Sequence, residues 1–244
     1  MPTLSRKQRE IQDREAQILS VAREMLLKDG YLGMSMDRIA EAVEYGKGTV
    51  YRHFPNKEDI ILALAVETQK KRTALFQRAS LFRGASRERL TAVGVACELF
   101  VRLYTSHFHV EQVVRLSSIW EKTSEKRQNV LRTCEQACMG IVSGIVRDAV
   151  SQGDLTLPED ITPEDMVFGM WAINFGSFSI MSTSGSLDEI GIEDPTLAIR
   201  GCINHMLDGF GWRLLSTEHD YEAVFEKALT ETFADEHQQL LAQQ

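Results

Sequence analysis

The stretch SMDRIAEAVEYGKGTVYRHFPNKED, residues 35 to 59, constrains this chain more than any other, because its punctuation allows only short helices. Met36, Ile39, Ala40 and Val43 recur at i, i+3, i+4 and i+7, which gathers one apolar stripe and turns Asp37, Arg38 and Glu41 away from it. Ser35 stands where an N-cap belongs. Glu44-Tyr45-Gly46 predicts a turn with its one glycine, and beyond it Val50 and Phe54 lie one helical turn apart, on the side that closes a small core. Pro55 stops that helix and Asn56 caps the next, with Glu58 and Asp59 suiting its positive end. Two short helices about a tight turn, with a third helix starting behind them, have the layout of a helix-turn-helix.

The outward side of the second helix carries Lys47, Thr49, Tyr51, Arg52 and His53, all hydrogen-bond donors, and a nucleic-acid backbone is an acceptor. Ser35, Tyr45, Gly48 and Lys57 border that surface and complete the expected DNA-binding set. Amphipathic spacing alone would equally describe a small core element with a wet polar face. The turn, the Tyr-x-His-Phe run and the capped following helix, taken together, favour DNA.

The run KGTVYRHFPNKED resembles the DNA-binding segment of the TetR (tetracycline-repressor) family of bacterial regulators. The likeness covers residues 11 to 66, about a quarter of the chain. It includes a preceding amphipathic helix with Ile18, Ala22, Met25 and Leu26 on one face, ending at Lys28-Asp29-Gly30. The resemblance implies an all-α chain with a three-helix head over residues 1 to 57 and a larger helical effector-binding and dimerisation domain over 58 to 244. It also implies that Tyr51, His53 and Lys57 hold phosphates, while Lys47, Thr49 and Arg52 remain to reach base edges. Glu44-Tyr45-Gly46 departs from the small turn usual in the family, and a carboxylate there repels phosphate or accepts from cytosine.

Charge agrees with a nucleic-acid partner only when it is divided. The whole chain is acidic, with 27 Lys and Arg against 35 Asp and Glu, yet residues 1 to 57 hold ten basic and eight acidic residues. The excess of acid therefore lies in the body, and the basic amino-terminal arm is expected to add phosphate contacts. That terminus has no apolar run behind its charges, and four cysteines are too few for a disulfide scaffold, so a cytoplasmic setting is expected. Residues 166 to 187 carry no charge, but Asn174, Thr183, five serines and three glycines dilute them and no basic anchor flanks them. They read as a largely buried helix rather than a membrane span.

Beyond the head the periodicity predicts helices near 57 to 82, 86 to 106, 109 to 121, 124 to 151, 163 to 184, 195 to 216 and 219 to 242, with no strand of any length. The helices over 163 to 184 and 195 to 216 are apolar all round. In the second, Ile199, Ile203, Met206, Phe210 and Leu214 form a stripe flanked by Leu197, Gly201, Leu207 and Trp212. Paired with the same two helices of a second copy they would form a four-helix homodimer interface.

Phe100, Tyr104, Phe108, Trp120, Cys134, Cys138, Met139, Trp171, Asn174, Phe175 and Phe178 mark a region for a hydrophobic effector, although aromatic stripes are first of all core. Trp171, Asn174 and Phe175 share one helical face and form the sharpest candidate. Cys134 and Cys138 at i and i+4, with Cys97, Cys202, His107, His109 and His205 elsewhere, fall short of a metal site. No phosphate loop, nucleophile elbow, metalloprotease motif or cofactor motif is present, so no enzyme is expected. The sequence thus reads as a ligand-responsive repressor that binds a palindromic operator as a dimer. A helical protein-interaction module and a cysteine-based redox-sensing DNA-binding regulator stand as the alternatives.

Overall fold

In the computed structural model, which describes residues 5–243, the chain forms twelve α-helices and no strand among those residues. The first is α1 (Arg6–Gly33), started by a capping box in which Ser5 and Gln8 satisfy each other's backbone N–H groups. Ile18, Leu19, Ala22 and Leu26 form its buried stripe. Gly30, at φ 69°, breaks the helix where the sequence ends it, and a further turn to Gly33 follows.

Then come α2 (Met36–Ala42) and α3 (Lys47–His53), with Ser35 capping α2 through Arg38 N–H. The connecting turn differs from expectation in one respect. Its left-handed residue is Glu44, at φ 56°, whereas Gly46 has an ordinary negative φ and serves as the N-cap of α3. Asn56 accepts from Asp59 N–H at 2.8 Å and so starts α4 (Lys57–Ser80).

The remaining helices are α5 (Ser86–Leu103), α6 (Thr105–Val114), α7 (Ser117–Lys122), α8 (Glu125–Gln152), α9 (Pro163–Thr183), α10 (Pro195–Gly209), α11 (Tyr221–Glu231) and α12 (Ala234–Leu241). Helix α9 keeps nearly its expected span, because Thr162 and Asp165 form a capping box around Pro163. Three expected helices are corrected. The one over 109 to 121 is two, α6 and α7, and the one over 219 to 242 breaks at Phe233, which is fully buried. The one over 195 to 216 ends at Gly209, where Gly211 at φ 69° lets its own N–H reach Asp208 O at 2.8 Å and Trp212 N–H reach Leu207 O at 3.1 Å. That is a Schellman closure, which only glycine enters without strain.

By packing the chain divides into two compact units, residues 1–70 with 105–134, and residues 71–104 with 135–244. A single cut at residue 57 therefore does not describe the packing, since α4 and α8 each give residues to both units. In the first unit Val110, Val113, Val114, Ile119 and Leu131 join Ile18, Leu26, Ile39, Val50 and Phe54 in one core, so three helices alone do not close it. In the second unit α5 packs on α11 and α12, and α9 packs on α10.

The centre of the second unit is Arg87, fully buried on α5. Its guanidinium donates to Asp208 Oδ1 at 2.7 Å and to the carbonyls of Trp212, Leu214 and Asn204 at 2.7, 2.8 and 3.0 Å. The bonds to Trp212 and Leu214 secure the non-helical stretch after α10, and those to Asn204 and Asp208 hold the end of α10 itself. Trp212 is likewise fully buried and gives its indole N–H to Ser86 at 3.0 Å. It is a core residue and not part of an interface stripe, and Leu214 lies beyond the helix. No helix among the described residues is long and apolar enough to cross a membrane.

Candidate nucleic-acid interface and effector region

Helix α3 buries one of its seven residues, Val50, and Phe54 just beyond it is equally buried. Spacing then turns Lys47, Gly48, Tyr51 and Arg52 to solvent, with Thr49 half-buried beside them. The head thus presents two cations, a phenol and a bare backbone on one short helix, which suits approach to phosphates and base edges.

The other expected DNA-contact residues are engaged inside the head. Ser35 is spent as the cap of α2. Tyr45, half-buried, gives its hydroxyl to Gln17. His53 lies largely buried with Nδ1 3.3 Å from Glu15, so both α1 contacts flank α3. Lys57 donates to the carbonyls of Tyr31 and Met34 at 2.9 and 3.1 Å and sits 4.1 Å over the Tyr31 ring. Burial, then the hydrogen bond to Glu58 at 2.6 Å, pushes the Tyr31 hydroxyl up to about 12, so this phenol stays a donor.

Sequence reasoning missed Asp37. Its carboxylate stands 2.7 Å from Lys47 Nζ, and that hydrogen bond raises the Lys47 pKa. The signal for it was the acid in the first turn of α2, but its partner lies across the turn and no local periodicity pairs them.

In the second unit the structure separates the expected effector residues. Phe100 is fully buried with the Arg72 guanidinium 4.4 Å from its ring, and Tyr104 caps α5 with Lys71 3.9 Å from its own. Burial raises the Tyr104 pKa. Cys138 is buried on α8. Trp171 stands between Phe168 and Phe175, with ring centroids 6.0 and 6.2 Å away. Asn174 and Phe178 instead face a cleft of about 60 Å³ with Leu90, Ile199, Arg200 and Phe225. Trp120 belongs to the first unit, where its indole N–H donates to Val114 O at 2.8 Å. Cys97, Cys134, Cys138 and Cys202 are not joined in disulfides, and no group of three side chains that could hold a metal ion occurs among the described residues.

Comparison with known proteins follows this geometry. The sequence pattern described as "Bacterial regulatory proteins, tetR family" matches residues 18–64, the segment that builds the head. The "Fatty acid metabolism regulator protein" of Bacillus subtilis (strain 168) is 22% identical over 188 residues, 71% of this chain and 91% of that protein. The regulator UidR of Escherichia coli (strain K12), 34% identical over 70 residues, and the repressor AcnR of Corynebacterium diphtheriae, 37% identical over 67 residues, match across 36% and 34% of their own length.

A TetR-family regulatory protein from Rhodococcus RHA1 has the same fold, with a TM-score of 0.62 at 18% identity over 81% of this chain and 97% of the other. So does the regulator FadR of Bacillus subtilis, solved in complex with stearoyl-CoA, with a TM-score of 0.58 at 18% identity over 79% and 96%. With residues 18–64 matching the family pattern and a fold shared with TetR-family structures, the chain carries a head similar to that of the TetR family of bacterial regulatory proteins.

Proposed function

We propose that this regulator is a repressor that binds a palindromic operator as a homodimer through α3 and releases it when a hydrophobic small molecule binds the body of the chain. The observation that carries the reading is α3 itself, which buries Val50 and leaves Lys47, Gly48, Tyr51 and Arg52 exposed within the family-matched segment. A single head makes few contacts, whereas two related by a two-fold axis read half-sites about 34 Å apart or a multiple of that. In functional terms the reading division is residues 1–57, and residues 58–244 carry effector binding and assembly.

The second copy has a surface to meet. Helix α9 buries Met166, Val167, Met170 and Phe178, yet its Phe168 is 59% and its Ile180 56% exposed, and Leu197 of α10 is 52% exposed. Apolar side chains gathered like this on adjacent helices gain from burial against another subunit.

The effector class follows from likeness rather than from a cavity. The cleft at Asn174 and Phe178, about 60 Å³, is far below the roughly 300 to 1,000 Å³ of drug-sized sites. The likeness to a regulator holding stearoyl-CoA makes a long-chain acyl thioester the first compound to test. The experiment is fluorescence anisotropy of the protein on DNA from upstream of its own gene, titrated with palmitoyl-CoA, palmitate and free coenzyme A. Release by palmitoyl-CoA alone supports the reading. Retention of DNA at saturating amounts of all three removes the acyl class, and failure to bind the upstream DNA removes that DNA as the operator.

A further inference from the structure

Residues 122 to 127, at the junction of α7 and α8, fold onto the exit of the reading helix. Arg127 Nη2 donates to the carbonyl oxygen of His53, the last residue of α3, at 3.3 Å across 74 residues of sequence. Its Nε lies 3.4 Å from Asp59 Oδ2, and its guanidinium carbon 4.6 Å from the centre of the Phe54 ring. One side chain therefore touches the end of α3, the residue that links it to α4, and the first turn of α4.

The partners are themselves held. The Asp59 side chain is 3% exposed and also accepts from Ser124 N–H at 3.0 Å. Nearby, Asn56 donates to Lys122 O at 3.0 Å and Lys122 Nζ stands 3.7 Å from Glu58. A carbonyl at a helix end lacks an intrahelical donor, and a guanidinium suits that negative pole. None of these contacts uses the exposed Lys47, Gly48, Tyr51 or Arg52.

We propose that Arg127 is a positioning residue for operator reading: by joining the last carbonyl of α3 to Asp59 of α4 it sets the angle of the reading helix without touching DNA. Base-edge hydrogen bonds weaken steeply with misalignment, so a small tilt of α3 loses them. Attraction to phosphates is long-ranged and tolerates the same tilt. The planar guanidinium meets the carbonyl and the carboxylate with two separate nitrogens, Nη2 and Nε, whereas a lysine offers a single nitrogen that cannot occupy both positions. The inference rests on α3 as the base-reading helix.

The test uses full-length protein and the DNA that wild type selects from a random library, with anisotropy on that DNA and on unrelated DNA across a salt series, and melting temperatures alongside. Arg127→Ala is expected to lose roughly tenfold on the selected site, with little change on unrelated DNA and the same salt slope. Arg127→Lys keeps the attraction to Asp59, so it is expected to recover stability but not selectivity, and it carries the test if the alanine variant does not fold. Unchanged selectivity in Arg127→Ala would overturn the proposal. Equal losses on both DNAs with a shallower slope would do so too, by making Arg127 a phosphate contact. Recovery of stability and selectivity together in Arg127→Lys would reduce its role to structural support and also overturn it. Arg52→Ala, measured in parallel, tests the reading helix itself, because Arg52 stands on the exposed face.

Discussion

Lys47 Nζ lies 2.7 Å from Asp37 Oδ2, so the first residue of the reading helix is tied to the first turn of the helix before it. Both side chains are well exposed, and the pair breaks readily in water. Its effect is on DNA: a carboxylate beside the reading face repels phosphate and competes for the lysine. Asp37→Asn is expected to tighten binding several-fold to operator and unrelated DNA alike, and to steepen the salt slope by about one counterion. Titrations at a series of salt concentrations measure both.

Lys57 gives two of its three N–H groups to the carbonyls of Tyr31 and Met34, which close the end of α1. Lys57→Met is therefore expected to destabilise the DNA-free protein by about 1 to 2 kcal/mol. Thermal unfolding would register that as a shift of roughly 2 to 8 °C. A variant with an unchanged melting temperature would return Lys57 to a role in phosphate binding alone.

Acid is expected to loosen the second unit first at Asp208 and Glu236. Burial alone would raise the Asp208 pKa, yet bonds from Ser216 and Arg87 hold it below the ordinary value. Burial likewise opposes, and Arg78 outweighs it, at Glu236. A carboxylate whose pKa is lower folded than unfolded adds stability above its unfolded pKa, about 4 for these groups, and loses it as pH falls through the folded value. Urea unfolding should show falling stability below about pH 4. Asp208→Asn should flatten part of that decline, while costing about 3 to 5 kcal/mol at neutral pH because buried Arg87 loses its charge partner.

Assembly is best tested at Ile180, which is 56% exposed in the single chain. Ile180→Glu disturbs little within one subunit but places a charge in the proposed four-helix contact. Sedimentation should show monomer at concentrations where wild type is dimer, with the melting transition retained. Phe210 is a poorer choice, since it is the half-buried C-cap of α10 and its replacement confuses folding with association.

Every residue from Ser5 to Arg14 is exposed on the first turns of α1, and Arg6, Lys7, Arg9 and Arg14 lie among them. Residues 1–4 of the same arm lie outside the described residues. Replacing Arg6, Lys7 and Arg9 together with alanine is expected to reduce the salt slope of DNA binding by about 2 to 3, with stability unaffected. An unchanged slope would leave the arm without a role on DNA.

The local features of this protein were legible in its sequence, and their physical basis is short-range. Ser35 caps α2 three residues away, Asn56 caps α4 likewise, and the stripe of Ile18, Ala22 and Leu26 repeats within single turns, so a few neighbouring residues encode each. The all-helical class, the helix-turn-helix and the span of α9 follow from such signals. Tertiary structure alone decided which donors of the head face solvent, because Lys57, Tyr45 and His53 found partners on α1 or at its end, some 23 to 38 residues away. It also brought residues 105–134 into the head's core and buried Trp212 against Ser86, 126 residues distant. Caps and stripes are written into the order of the chain, whereas the partner of a side chain depends on which helices pack together, and periodicity within one helix does not contain that information.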